Sequence, residues 1–279
     1  MTAKELLDAA LEVARENAAE ATPWDARLLL AHALGGRSPL SLDLLQELEA
    51  PAASKFQALW DRRLGGEPVQ HLLGEWDFYG RPFFVDRRAL VPRPETEILA
   101  AAALAEAPAS RRAIDLGAGG GVLAITYLLE RPGSRAVALD ASLEALALSR
   151  ANARRHGVLG RLGLAASDWL SAVGTARFDL AMSNPPYLSV SEEASLPRTV
   201  SKHDPARALF AGQDALATIR HLLNELPRFL QPGAPFLFEI GYGQSESVAR
   251  EVRARPRWRL LRIEPDLNGV PRVVVARRT

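Results

Sequence analysis

The chain has 279 residues, of which 48% are hydrophobic and 24% charged, values typical of a folded globular protein that exclude a disordered, collagen-like or coiled-coil chain. It contains no cysteine, which excludes disulfide scaffolds, thiolate zinc sites, iron–sulfur clusters and cysteine nucleophiles. Its 34 basic and 33 acidic residues leave a net charge of +1, so overall charge gives no indication of nucleic-acid binding.

Residues 1–75 are predicted to form a small all-helical N-terminal domain. Thr2 and Glu5 have the spacing of a capping box, and apolar residues then recur on one helical face at Leu7, Leu11, Ala14 and Ala18. Glycine and proline punctuation separates further predicted helices over 24–34, 41–48, 52–64 and 69–73. This segment holds 7 basic and 12 acidic residues, whereas residues 76–279 hold 27 and 21, so an anionic partner should meet the second part.

No targeting or membrane segment is expected. Acidic residues interrupt the apolar N-terminus, which argues against a signal peptide. The longest uncharged apolar stretch nearby, 98–105, is far shorter than the ~18 residues of a membrane-spanning helix. We therefore expect a soluble, cytoplasmic protein.

Residues 76–92 are predicted to be a β-hairpin linker, because aromatic and β-branched residues surround a turn at 79–82. From 93 to 279, short apolar strands alternate with longer helical segments, which predicts an α/β domain with a mostly parallel sheet and helices on both faces. Its strands are expected at 113–116, 136–139, 162–165, 179–183 and 235–240. The runs 258–263 and 272–276 are too close together for a helical crossover and should form an antiparallel pair.

A glycine-rich loop follows the first strand of this sheet. Asp115 precedes the run Gly117, Ala118, Gly119, Gly120 and Gly121. Such glycines let a ligand lie against the backbone at the carboxyl edge, where open sheets bind ligands. Val122 stands where a dinucleotide fingerprint needs a small residue, and no Gly-Lys-Ser/Thr follows, so neither a nicotinamide site nor a phosphate P-loop is favoured.

Acidic residues follow the next two strands. Asp140 ends the second strand, where a carboxylate can accept hydrogen bonds from both ribose hydroxyls of a nucleoside-bearing cofactor. Asp168 and Trp169 follow the third and could contact an adenine ring. The alternative is structural, with a glycine turn, Asp140 as a helix cap and Trp169 as a buried core residue.

Asn184, Pro185, Pro186 and Tyr187 follow the fourth strand, at the same sheet edge as the glycine loop. Two prolines fix the backbone and remove two donors, which leaves carbonyls available to a ligand. Asn184 adds an acceptor oxygen and Tyr187 a stacking face. Such a site suits a flat NH₂ group, although a simple Pro-Pro turn is the structural alternative.

The chain resembles the class I S-adenosylmethionine-dependent methyltransferases that carry an Asn-Pro-Pro-Tyr motif. It resembles more closely the peptide chain release factor glutamine methyltransferases, and that similarity extends over nearly the whole chain. The matching segments are Pro68–Gly74, Phe78–Gly80, Val91–Glu97, Asp115–Gly121 and Asn184–Tyr187.

This resemblance implies a Rossmann-like methyltransferase domain over 93–279 that binds S-adenosyl-L-methionine at Asp115, 117–121, Asp140, Asp168, Trp169 and Asn184. It implies that the substrate is the glutamine of the Gly-Gly-Gln loop of class I release factors. Asn184, Pro185 and Tyr187 are then the catalytic residues, Pro186 joins them in binding substrate, and residues 1–75 dock the partner. No metal, membrane or direct nucleic-acid target is expected, and methylation of an exocyclic base nitrogen of RNA or DNA is the alternative function.

Overall fold

The computed structural model describes residues 1–16, 20–36 and 38–279 and divides into two compact units. The first unit comprises residues 1–75 and 196–203, and the second comprises 76–195 and 204–279. Ala18, predicted to extend the apolar face of the first helix, lies outside the described residues.

Eleven helices and eleven strands are present in the described part of the chain. The helices are α1 Ala3–Glu16, α2 Pro23–Ala33, α3 Ala50–Leu64, α4 Val69–Leu73, α5 Pro94–Glu106, α6 Val122–Glu130, α7 Leu143–Arg155, α8 Arg198–Ser201, α9 Ala206–Leu209, α10 Ala217–Glu225 and α11 Ser245–Arg253. The strands are β1 Glu75–Phe78, β2 Arg81–Phe84, β3 Arg112–Leu116, β4 Arg135–Asp140, β5 Leu162–Ala166, β6 Leu180–Ser183, β7 Leu188–Ser189, β8 Phe210–Gly212, β9 Pro235–Glu239, β10 Trp258–Pro265 and β11 Pro271–Arg278.

The helical part of the first unit contains α1 to α4. A capping box starts α2, because the Thr22 hydroxyl accepts from the Asp25 N–H at 3.1 Å and the Asp25 carboxylate accepts from the Thr22 N–H at 2.9 Å. The buried Trp60 indole donates to the Ala10 carbonyl, which ties α3 to α1. Asp25 also pairs with the buried Arg63 guanidinium at 3.1 Å.

The prediction of a helix over 41–48 is wrong. A short 3₁₀ turn covers Pro39–Ser41, and the chain beyond it runs past the start of α1. There the Gln46 and Leu44 carbonyls accept from the backbone N–H groups of Ala3 and Lys4, each at 3.0 Å. The first N–H groups of a helix lack acceptors within the helix, so this segment supplies them instead of forming its own helix.

The second unit contains a seven-stranded sheet in the order β10-β11-β9-β6-β3-β4-β5. The five strands from β9 to β5 are parallel, whereas β11 runs antiparallel to β9 and pairs antiparallel with β10. The predicted mostly parallel sheet with an antiparallel C-terminal pair is therefore confirmed. The chain passes from β3 outward to β4 and β5 and then returns to the other side of β3, which creates a topological switch point between β3 and β6.

Alternating residues of the central strands face two separate cores. Ala113, Ala136, Leu180 and Leu237 pack with α5 and α6, whereas Ile114, Ala181 and Phe236 pack with α10 and α11. Burial on both faces explains why these strands consist of continuous apolar runs.

The predicted hairpin is formed by β1 and β2. Tyr79 and Gly80 both have positive φ, 52° and 69°, as a tight two-residue hairpin turn requires. Asn152 of α7 fixes its far end, since its side chain accepts from the Phe84 N–H and donates to the Phe84 carbonyl. No helix in the described ranges has the length and apolar character needed to cross a bilayer.

Candidate functional site

A cleft of about 360 Å³ opens at the carboxyl edge of the sheet, beside the switch point between β3 and β6, and all the residues that line it belong to the second unit. Ten residues predicted from the sequence lie on its wall: Asp115, Gly117, Ala118, Gly119, Gly120, Asp140, Asp168, Trp169, Asn184 and Pro186. The loops after β3, β4, β5 and β6 are thus brought together, as expected for ligand binding in an open α/β sheet. Three predicted residues, Gly121, Pro185 and Tyr187, are not on the wall.

The glycine loop is held tightly against β4. The N–H groups of Gly117 and Ala118 both donate to the Leu139 carbonyl at 2.9 Å. Gly117 has φ +71°, and a Cβ there would lie 3.6 Å from the Trp169 ring and 4.0 Å from the Asn184 backbone oxygen. A side chain at this position would therefore occupy the space between the loop and the opposite wall.

Asp140 and Asp115 are two of the carboxylates that line the cleft. Asp140 accepts from the Gly119 N–H and from the Ser142 N–H, both at 2.8 Å, so it fixes the glycine loop. The helix cap of α7 is Ser142, whose hydroxyl accepts from the Ala145 N–H, and not Asp140. Because each carboxylate oxygen has two lone pairs, Asp140 retains acceptor capacity toward the cleft.

Asp115, at the end of β3, is fully buried. One of its oxygens accepts from the Ala124 N–H at 3.1 Å, and the other has no hydrogen-bond partner among the described residues. Burial, with a smaller contribution from the neighbouring Asp140 charge, raises the pKa of this carboxyl to about 7 against the opposing effect of the Ala124 hydrogen bond. An unpaired, buried oxygen on the cleft wall is a group that a bound ligand could satisfy.

Trp169 forms a side wall. Its backbone has a positive φ of 50°, and its carbonyl accepts from the Ser167 hydroxyl at 2.7 Å. The indole ring lies beside Gly117. Asp168 is exposed beside it at the cleft.

The Asn-Pro-Pro-Tyr turn divides its side chains between the cleft and the interior. Asn184 and Pro186 line the cleft, whereas Pro185 is buried. Tyr187 differs from the expectation that its ring stacks on a ligand, because its hydroxyl points to Glu239 of β9 at 3.4 Å. Burial, followed by the Glu239 charge, raises the pKa of Tyr187. A polar partner at the end of β9 draws the phenol inward.

Behind the turn, hydrogen bonds connect Asn184, Thr96, Glu239 and Tyr187. The Asn184 Nδ2 donates to Thr96 Oγ1 at 3.1 Å, and Thr96 Oγ1 donates to Glu239 Oε2 at 2.7 Å. Thr96 is 3% and Glu239 2% exposed. Burial raises the pKa of Glu239 to about 7.

Neither Thr96 nor Glu239 was identified as a site residue from the sequence. Thr96 belongs to the 91–97 segment that supports the family resemblance, but nothing there indicated a role for it. Glu239 could have been found as the acid that ends an apolar strand at the ligand-binding edge.

Part of the segment 204–212 also lines the cleft. Pro205, Arg207 and Phe210 line the cleft. The Asp204 carboxylate, 1% exposed, pairs with Arg93 at 2.9 Å and holds this segment near the start of α5. Within the ranges that the structure describes, no group of three or more His, Asp or Glu side chains could hold a metal ion.

Comparison with known proteins gives matches over both parts of the chain. Residues 94–201 match the family model "Methyltransferase small domain", and residues 5–74 match "PrmC N-terminal domain". The chain is 44% identical to the release factor glutamine methyltransferase of Cereibacter sphaeroides over 91% of this chain and 90% of that protein. It is 37% identical to the Koribacter versatilis protein of the same name, over 100% of this chain and 99% of the relative.

Among solved structures, the hMettl16 catalytic domain in complex with the MAT2A 3′UTR hairpin 6 has a similar fold. The TM-score is 0.56 at 15% sequence identity, over 70% of this chain and 74% of that chain.

The sheet, its glycine loop and the matched small domain define a methyltransferase. The relatives, similar over almost their whole lengths, add the particular assignment: this chain belongs to the family of release factor glutamine methyltransferases.

Proposed function

We propose that this methyltransferase transfers a methyl group from S-adenosyl-L-methionine to the side-chain amide nitrogen of the glutamine in the Gly-Gly-Gln loop of class I release factors. The observation that carries the proposal is the position of Asn184 on the wall of the cleft, at the switch point that also holds the glycine loop. Relatives with 44% and 37% identity carry the name of this activity.

The residues of the cleft fit such a cofactor. Gly117 leaves open the space that a Cβ would take, Asp115 has an unpaired buried oxygen, and Asp140 has acceptor capacity toward a ribose. Asp168 and Trp169 line the same cleft and are proposed to contact an adenine ring. When bound, S-adenosyl-L-methionine supplies a methyl carbon activated by a sulfonium.

Asn184 is proposed to orient the acceptor. An amide nitrogen is a weak nucleophile because its lone pair is delocalised into the carbonyl, so the site must hold it in position. The Asn184 side-chain oxygen accepts one N–H of the substrate amide, and the Pro185 carbonyl is proposed to accept the other. Fixed orientation then lowers the barrier without a strong base. The amide exchanges one hydrogen for the methyl group, and the proton passes to water.

Pro186 and Tyr187 support this arrangement differently. Pro186, on the wall, is proposed to contact the substrate side chain directly. Tyr187 is proposed to act through the shape of the turn, because its hydroxyl faces Glu239.

The experiment is transfer of a tritiated methyl group to three acceptors: a purified release factor, the same factor with the loop Gln→Ala substitution, and total RNA or DNA. We expect label only in the unsubstituted factor, on the glutamine side chain by mass spectrometry. Label in the substituted factor would contradict the assignment of the loop glutamine as the methyl acceptor. Label in nucleic acid without label in the factor would instead favour a base amino-methyltransferase.

A further inference from the structure

Hydrogen bonds that run through two buried residues, Thr96 and Glu239, determine which end of the Asn184 carboxamide faces the cleft. The Nδ2 of Asn184 donates to Thr96, and Thr96 donates its one hydroxyl hydrogen to Glu239. A hydroxyl whose hydrogen is already donated can only accept further hydrogen bonds. Asn184 must therefore present its NH₂ group to Thr96, which turns its oxygen toward the cleft.

This direction of the two hydrogen bonds, from Asn184 to Thr96 and from Thr96 to Glu239, requires that Glu239 is ionised. A carboxylate can only accept, so it takes the Thr96 hydrogen on Oε2, while Oε1 lies 3.4 Å from the Tyr187 hydroxyl. Three elements thus converge on one strand end: the first turn of α5, the turn after β6 and the end of β9.

We propose that Thr96 and Glu239 are positioning residues that hold the Asn184 oxygen toward the cleft, so that the site accepts the NH₂ group of a primary amide. This inference rests on the proposed function, since it concerns the acceptor that Asn184 orients. In this proposal neither residue transfers a proton to or from the substrate. Thr96 lines the cleft and contacts Asn184 directly, whereas Glu239 acts on Asn184 only through Thr96.

Protonation of Glu239 would reverse the direction of the hydrogen bonds. A carboxylic acid can donate to Thr96, which can then donate to the Asn184 oxygen and turn the NH₂ group toward the cleft. Burial raises the pKa of Glu239 to about 7. Among the groups that face it, Glu95 raises this pKa, whereas the Thr96 hydrogen bond, Arg272 and the Tyr187 hydrogen bond lower it. The acceptor site should consequently weaken as the pH falls below about 7.

Thr96→Val tests the inference, because valine keeps the shape and removes both hydrogen bonds. We expect kcat/KM for the release factor to fall at least about tenfold, while the cofactor Kd stays within about twofold. Thr96→Ser keeps the hydroxyl and should restore kcat/KM to within about threefold of the unsubstituted protein. Thr126→Val is the matched control, since Thr126 is a buried threonine of α6 with no side-chain hydrogen-bond partner among the described residues.

The pH profile separates positioning from a purely structural role. In the unsubstituted protein kcat should fall on the acid side of about pH 7, and this limb should be absent from Thr96→Val, where Glu239 is disconnected from Asn184. Adding Glu239→Gln to Thr96→Val should cost little further activity, because the two residues act as one unit.

Several outcomes would overturn the inference: a Thr96→Val protein with undiminished kcat/KM, equal losses in Thr96→Ser and Thr96→Val, equal loss of cofactor binding, or an unchanged acid limb in Thr96→Val. Absence of transfer by the unsubstituted protein would instead refute the proposed function, so the two failures are distinguishable.

Discussion

Gly121→Ala should destabilise the second unit, because Gly121 is the residue where the glycine loop enters α6. It has φ +80° and precedes the first residue of the helix. A Cβ there would overlap the Ser149 hydroxyl of α7 and lie 3.1 Å from both Ser149 Cβ and Ile125 Cδ1. Ser149 is fully buried, so the overlap cannot be relieved by turning the side chain into solvent.

Two effects contribute to the cost. The left-handed backbone costs an alanine about 1–2 kcal/mol relative to glycine. Overpacking a filled interior usually adds about 1–3 kcal/mol. The expected loss in the free energy of unfolding is therefore about 3 kcal/mol, measured by urea denaturation.

Ser149→Ala provides the second arm of a double-mutant cycle. The Ser149 hydroxyl has no hydrogen-bond partner among the described residues, so its removal alone should change stability by less than about 1 kcal/mol. In the Gly121→Ala background it removes the worst overlap and should recover about 1 kcal/mol. A Gly121→Ala protein as stable as the unsubstituted one, or a cycle with no coupling, would refute this account of the loop.

Asp140→Ala should weaken cofactor binding by about 30-fold or more, since hydrogen bonds to a charged group each contribute about 1.5–3 kcal/mol; an unchanged affinity by calorimetry would contradict the proposed ribose contact. Burial raises the pKa of the Glu239 carboxyl in the folded state to about 7 from an ordinary value of 4.5. Between these pH values the folded protein keeps a proton on Glu239 that the unfolded chain has lost, so stability falls as the pH rises. Relative to Glu239→Gln, the unsubstituted protein should lose about 3 kcal/mol of unfolding free energy as the pH rises from below 4.5 to about 8 and show no further change above that; a stability difference independent of pH would contradict the raised pKa of Glu239.

Much of the sheet could be predicted because each central strand is buried on both faces. Runs such as 113–116 and 235–239 are apolar at every or nearly every position and are followed by helical periodicity, which specifies a parallel α/β sheet. The conformation of the segment 41–48 could not be predicted from its own residues. Its leucines suggest a helix, but its conformation depends on the unpaired N–H groups of α1, which are distant in sequence.

Local motifs predicted the residues that line the cleft, but not the residues that hold Asn184 in place from behind. Asp140 and Asn184 directly follow predicted strands and Trp169 comes shortly after another, so the sheet edge alone brings them together. Thr96 and Glu239 are 143 residues apart and meet only because α5 packs beside β9. The orientation of Tyr187 depends on Glu239, so its predicted role as a stacking face could not be judged from the turn itself.

The most direct measurement of the central claim is the effect of Asn184→Ala on two quantities, kcat/KM for the release factor and the Kd for the cofactor. Asn224→Ala is the matched control, since Asn224 is an exposed asparagine of α10 that does not line the cleft. If Asn184 orients the acceptor amide, kcat/KM should fall by about 100-fold or more while the cofactor Kd changes by less than about threefold. Near-normal turnover, or equal losses in both quantities, would contradict the claim.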